Sequence, residues 1–353
     1  MVMIRVATTL SLPTLLLYAI SLSAAPTAEF IYESAPFPSC HASTIVETGP
    51  NQFFAAWFGG SGEGKPDVAI WGARRSQGKW SEPFELAREP NTAAYNPVLF
   101  YSKDRTLWLY YKFGPSPMTW TAGRRRSGDD GATWSAIEHL PAGLYGPIKN
   151  KPLLLADGTI VSGTSVESYR SWSCWVERSS DNARSWSKHG PIIAAGAPPA
   201  SEAAVAGSEA GGRTHGIIQP AIVPLGGARL RMFVRSTRNI GRICYADSND
   251  GGVTWTEARP TKLPNPNSGI DAVGLGDGRM VMVYNHTEKG RSPLNLAVSK
   301  DGENWTPALT LESEPGEFSY PAIIQGSDGN LHITYTWNRK KIRYVEVPLG
   351  DIP

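Results

Sequence analysis

A short motif recurs along the chain and restricts it to a few architectures. Residues 127–134 read SGDDGATW, 179–186 read SSDNARSW, 248–255 read SNDGGVTW and 299–305 read SKDGENW, with a reduced form, SQGKW, at 76–80. The closing Trp falls at 80, 134, 186, 255 and 305, at intervals of 54, 52, 69 and 50 residues. A period near 50 with one insertion describes an array in which each unit packs against its neighbours. Within one copy the Asp can accept backbone N–H bonds inside a turn. The Gly supplies a positive φ at no steric cost, and the Trp buries a large ring against the adjoining sheet. The motif is therefore a hairpin pin, not a catalytic or calcium site.

Apolar, alternating stretches precede each motif and predict strands. Each unit opens on a short apolar run: STIVE (43–47), PVLFY (97–101), PLLLA (152–156), PAIVPL (220–225), DAVGL (271–275) and PAIIQ (321–325). Six openings with about four strands each predict an all-β chain, a six-bladed β-propeller of four-stranded blades. The leftover segment EFIYES (29–34) is expected to supply the outer strand of the last blade and close the ring, because closure removes sheet edges. The stretch 190–216, poor in large apolar residues, is expected to be a long loop. Arg124–Arg125–Arg126 is expected to be a solvated strand edge.

The N-terminus has its own pattern. One Arg, an apolar run from Val6 to Leu22 and then small residues predict a secretory signal peptide over 1–25, leaving 26–353 as a single propeller. The expected location is secreted or periplasmic, with no membrane span after cleavage. Three cysteines, Cys40, Cys174 and Cys244, have no metal or disulfide spacing. With 34 Lys and Arg against 32 Asp and Glu, the net charge of +2 gives no field for nucleic acid. No cofactor or metal is expected, and the chain is expected to be a monomer.

Propellers place their sites at the central mouth, so the residues flanking the six openings are the candidates: His41, Asn96, Lys151, Gln219, Asp271 and Tyr320. A mixed polar set of this kind suits a sugar better than an apolar ligand. His215, just before the fourth opening, is a further candidate.

The repeated motifs, now recognisable as Asp-boxes, and the six openings resemble the sialidase (neuraminidase) superfamily over roughly residues 30–347. That resemblance implies three Arg residues gripping a carboxylate, a Tyr nucleophile paired with a Glu, and an Asp acid/base. Guanidinium forks suit a carboxylate, and sialidases depart from the two-carboxylate scheme of most glycosidases. By resemblance the acid/base falls on Asp67 in GKPDVAIW and the nucleophile on Tyr320 in EFSYPAII. The second and third Arg fall on Arg235 in MFVRST and Arg291 in the segment before the last Asp-box. The first Arg is replaced by His41, and the Glu by Gln219 in GIIQPAIV.

Catalytic roles are thus expected for Asp67, Tyr320 and His41, and substrate binding for Arg235, Arg291, Gln219, His215, Lys151 and Asn96. The resemblance implies an exported exo-α-sialidase-like glycosidase acting on acidic oligo- or polysaccharides. Two alternatives remain open. His41 and Tyr320 beside two Arg also suit a lyase or hydrolase directed at uronates. The loss of one Arg and of the Glu also suits a non-catalytic carbohydrate-binding propeller.

Overall fold

The computed structural model describes residue 3 and residues 25–168, 171–196 and 215–353. The signal-peptide expectation for 1–25 and most of the long-loop expectation for 190–216 lie outside the described residues. Among the described residues, no helix is long and apolar enough to cross a membrane.

The chain is a six-bladed β-propeller. Strand β1 (Thr27–Phe30) comes first in sequence. Blade 1 has β2 (Ser39–Gly49), β3 (Gln52–Gly60), β4 (Ala69–Ser76) and an outer edge in two pieces, β5 (Lys79–Trp80) and β6 (Phe84–Ala87). Blade 2 has β7 (Ala94–Tyr101), β8 (Leu107–Phe113), β9 (Thr121–Ser127) and β10 (Glu138–His139). Blade 3 has β11 (Leu153–Leu154), β12 (Ile160–Glu167), β13 (Trp172–Ser179) and β14 (Ser187–Ile192). Blade 4 has β15 (Ile217–Gly226), β16 (Arg229–Ser236), β17 (Arg242–Ser248) and β18 (Arg259–Pro264). Blade 5 has β19 (Asp271–Gly274), β20 (Met280–Tyr284), β21 (Leu294–Ser299) and β22 (Thr306–Glu312). Blade 6 has β23 (Phe318–Gln325), β24 (Leu331–Trp337) and β25 (Lys341–Val347), and β1 completes it.

All pairings within the blades are antiparallel, and the six expected openings all fall on or within the innermost run of their blade. The segment expected to close the ring does so, over 27–30: Thr27 pairs with Glu346 and Phe30 with Arg343. The core is divided in the same way. One apolar cluster fills each of the six blade-to-blade contacts, including that between blade 6 and blade 1, where Ile342 and Tyr344 pack with Phe53 and Trp57.

The Asp-boxes are turn pins. In the second full copy before the insertion, Ser179 donates to Asp181 at 2.8 Å, and the Ser185 hydroxyl donates to the same carboxylate at 2.6 Å. Ser248 and Thr254 hold Asp250 identically. These donors keep Asp129, Asp181, Asp250 and Asp301 well below the usual carboxylate range. The motif glycine requires its left-handed backbone: Gly252 has φ +90°, and a Cβ there would meet Val161 Cγ1 at 2.9 Å. The Trp residues are half-buried against the blade contacts rather than fully enclosed.

Arg124 and Arg125 depart from the solvated reading, whereas Arg126 is exposed. Arg124 is buried against blade 3, donating to Glu138 at 2.7 Å and to the Tyr110 hydroxyl at 3.0 Å. Arg125 donates to the Ser135 carbonyl at 2.7 Å.

Candidate active site

Four inner strands carry the same irregularity. Register shifts lie between His41 and Thr44, Tyr95 and Val98, Ile218 and Ala221, and Ser319 and Ala322. At each, one non-glycine residue takes the left-handed conformation: Ala42 (φ 56°), Asn96 (φ 40°), Gln219 (φ 58°) and Tyr320 (φ 53°). In three of the four the next residue is Pro (Asn96-Pro97, Gln219-Pro220, Tyr320-Pro321), which has no ladder N–H to lose. A bulge re-aims its side chain out of the pleat, and backbone in this region is sparsely populated by non-glycine residues, so such positions cluster at sites.

Tyr320 is the centre of the cluster these bulges build. Its hydroxyl accepts hydrogen bonds from Arg235 Nη1 at 2.8 Å and Gln219 Nε2 at 3.1 Å. Arg235 also donates to Gln219 Oε1 at 3.3 Å and, through Nε, to Asn267 Oδ1 at 2.7 Å. The guanidinium carbons of Arg235 and Arg291 lie 5.8 and 5.6 Å from the Tyr320 ring centre, and Lys149 Nζ lies 5.8 Å from it. The His41 ring packs on Tyr320 at 4.1 Å. The structure therefore brings Tyr320, Arg235, Arg291, Gln219 and His41 together.

Arg339 stands in the same cluster and was not foreseen. It lies on the β24–β25 turn, where its carbonyl accepts from the Cys40 N–H at 2.9 Å, one residue from His41. Its Nε donates to Glu317 Oε1 at 2.8 Å, the oxygen that also takes Arg291 Nη1 at 2.7 Å. A second ion pair joins Arg339 to Glu63, on the loop between β3 and β4. A third guanidinium thus stands near His41, the position at which the sialidase resemblance expects an Arg. The only sequence signal was a basic turn, WNRKK, which reads as solvated.

The electrostatics follow from this crowding. His41 is buried, and burial together with Arg339, Arg291, Arg235 and Lys149 holds it far below the ordinary imidazole value. Among the described residues neither ring nitrogen has a hydrogen-bond partner. It is a neutral ring among cations. Burial likewise lowers Arg291, with the other guanidiniums adding to the effect. Lys149, fully enclosed and donating to Asn150 Oδ1 at 2.8 Å and the Ile270 carbonyl at 2.9 Å, is pushed down to about 7 by burial.

Other expected residues stand outside the Tyr320 cluster. Lys151 is occupied in an ion pair with Asp271 at 2.9 Å, a carboxylate that also accepts the Ile323 N–H. Asp67 is exposed on the β3–β4 loop and accepts from the Ser61 N–H and hydroxyl, both at 2.8 Å. Those two bonds hold it below the usual carboxylate range. Asn96 is buried at the bulge of blade 2. His215 has a buried Nε2 with no partner among the described residues. Among the described residues no cluster of His, Cys, Asp and Glu has the makings of a metal site.

The six-bladed, Asp-box-pinned ring is a BNR-type β-propeller, with guanidiniums converging on one Tyr. The chain belongs to the BNR repeat-like domain family, whose sequence profile matches residues 51–333. Solved structures agree in fold. The NanB sialidase from Streptococcus pneumoniae superposes with a TM-score of 0.72 at 12% identity, over 92% of this chain and 71% of that one. A Dyadobacter fermentans protein of unknown function gives 0.72 at 16% identity, over 91% and 98% of the two chains. The intramolecular trans-sialidase from Ruminococcus gnavus gives 0.70 at 12% identity, over 92% and 98%. No curated protein matches the sequence.

Proposed function

We propose that the protein is an exported glycosidase acting on acidic oligo- or polysaccharides, with the sugar carboxylate seated on Arg235 and Arg291. The observation that carries the reading is the convergence of those two guanidiniums over Tyr320. A carboxylate lying between them gains charge-assisted, planar hydrogen bonds, and Arg339 supplies a third cation at the same rim. The carboxylated sugar then has its anomeric carbon near the Tyr320 oxygen, the geometry a Tyr nucleophile needs. The sialidases and trans-sialidase among the structural neighbours support the substrate class. The leader pattern of residues 1–25 supports export, to the periplasm or the medium.

One observation favours elimination as the second reading. Gln219 donates to the Tyr320 oxygen where a carboxylate would accept from it, so Tyr320 has no base of the sialidase kind beside it. Clustered guanidiniums also suit the enolate-like charge of β-elimination at a uronate. A panel of sialosides and uronate-containing glycans, read both for new reducing ends and for absorbance of an unsaturated uronate, decides between them. Binding without either product would overturn both and leave a carbohydrate-binding propeller.

A further inference from the structure

Strand β12 brings to the mouth a carboxyl group that the sialidase resemblance does not assign. Side chains two apart on a strand share a face. On β12 that face packs against the inner strand of blade 4. A Cβ on Gly163 would meet Pro220 at 2.8 Å, and Ser165 Oγ accepts from the Gln219 N–H at 3.4 Å. The next residue in this row is Glu167, the last of β12, paired with Trp172, which makes an isolated parallel bridge to Gly216 just before β15. The row therefore passes Gln219 and ends at the rim, on the side of Arg235. Glu167 is at most half-exposed, and no hydrogen bond or ion pair holds it among the described residues.

We propose that Glu167 is the proton donor of this site, giving its proton to the glycosidic oxygen as the bond to the sugar breaks. The inference rests on the glycosidase reading above. The bond's electron pair stays with that oxygen, which departs as a neutral alcohol, and Glu167 is left as a carboxylate. Water then forms the new C–O bond as the bond from the anomeric carbon to Tyr320 breaks, and Glu167 takes a proton from that water. The proton that Tyr320 sheds to solvent on attacking returns to it as it leaves, so the cycle closes without any other reagent. Asp67, exposed and fastened by Ser61, is held in its ionised form and so has no proton to start that cycle. Two charged groups face Glu167: Glu63 from the β3–β4 loop, which favours its neutral form, and Arg235 from β16, which opposes it. Burial is the largest effect: it outweighs Arg235 and, with Glu63 adding to it, pushes the carboxyl up to about 7, where an acid for neutral solution belongs.

The test compares Glu167→Gln and Asp67→Asn on two substrates with one acidic sugar. One carries an ordinary sugar alcohol as leaving group, the other an aryl group that departs without protonation. Glu167→Gln is expected to lose roughly 10²–10⁴-fold in kcat on the first and less than tenfold on the second. Wild-type kcat/KM on the glycan should fall as pH rises through about 7, a limb that Glu167→Gln lacks. The differential appearing in Asp67→Asn instead, or equal losses on both substrates, would overturn the proposal. A turnover-independent readout accompanies it: carbon NMR of glutamate-labelled protein should show one carboxyl titrating near 7 that Glu167→Gln removes. Its absence sinks the proposal whatever the activity. Its presence in a wild type that cleaves neither substrate sinks the glycosidase reading and the donor role with it, and leaves only the neutral acid.

Discussion

The His41 ring lies on the Tyr320 ring with centres 4.1 Å apart and planes inclined by 48°. Both His41 nitrogens are buried without partners among the described residues, and the ring's contact with Tyr320 is packing. His41→Phe should keep that packing and remove two unsatisfied polar atoms, raising stability by about 1–2 kcal/mol. The sign with pH is fixed by the depressed imidazole. Its stabilising contribution is present above the unfolded value near 6.5 and is lost as pH falls, because only the unfolded chain then takes up the proton. The advantage of His41→Phe should therefore grow between pH 7 and pH 5. Thermal melts showing it less stable than wild type at pH 5 would refute this account.

Arg235→Lys keeps the charge and loses the fork that reaches Tyr320, Gln219 and Asn267 at once. We expect kcat/KM on the best acidic glycan to fall by at least about 10²-fold. Preference for that glycan over its carboxyl-reduced analogue should fall with it. Undiminished preference would show that the carboxylate sits elsewhere.

Gln219→Glu places an acceptor 3.1 Å from the Tyr320 oxygen, where a donor now stands. Wild-type turnover of ordinary sialosides should be weak, and the variant should raise it by roughly tenfold or more, since a general base of this kind contributes about 10²-fold. Incubation with a fluorinated sialic acid and intact-mass measurement reads the same change as an adduct on Tyr320. A stoichiometric adduct already present in the wild type would make Gln219 no obstacle.

Glu167 gives the opposite pH sign from His41. With its folded value raised to about 7, its contribution is full below the unfolded carboxyl value and is lost as pH rises through about 7. Glu167→Gln should be more stable than wild type at pH 8, by up to about 3 kcal/mol, and indistinguishable at pH 4. Urea titrations at the two pH values measure it. Equal stabilities at pH 8 would place the carboxyl in water.

Trp255→Ala tests the pins away from the mouth. The ring is half-buried against blades 3 and 4, and its Nε1 donates to the Gly252 carbonyl at 3.1 Å. A loss of about 2 kcal/mol is expected, below the range of a fully enclosed Trp. Glycan binding should be unchanged. Altered binding in a folded variant would tie the Asp-boxes to the site.

The ring was legible because its signals are local and repeated. Each Asp-box fixes a hairpin, and each apolar opening marks an inner strand. Even the bulges left a trace, in the Asn96-Pro97, Gln219-Pro220 and Tyr320-Pro321 pairs. Of the residues gathered around Tyr320, Gln219 and Tyr320 itself were reached because they flank openings, and Arg235 and Arg291 only through the sialidase resemblance. Arg339 escaped because its role depends on ring closure, which lays the β24–β25 turn beside β2. Glu167 escaped because its role depends on how two blades abut, with Ser165 facing Gln219. Arg124 misled for a similar reason: a run of three Arg looks solvated until the next blade covers it.

The seam between β1 and β25 has a consequence for how the protein is made. Chains emerge from the ribosome N-terminus first, so the strand that finishes blade 6 exists long before the blade does. Until β25 is synthesised, β1 is an unpaired edge, and the cluster joining blade 6 to blade 1 lacks Ile342 and Tyr344. Pairings this distant in sequence form late and slowly. The young chain must therefore wait for its last strand before its first has anywhere to bind, and truncation just before Lys341 should leave a ring unable to shut.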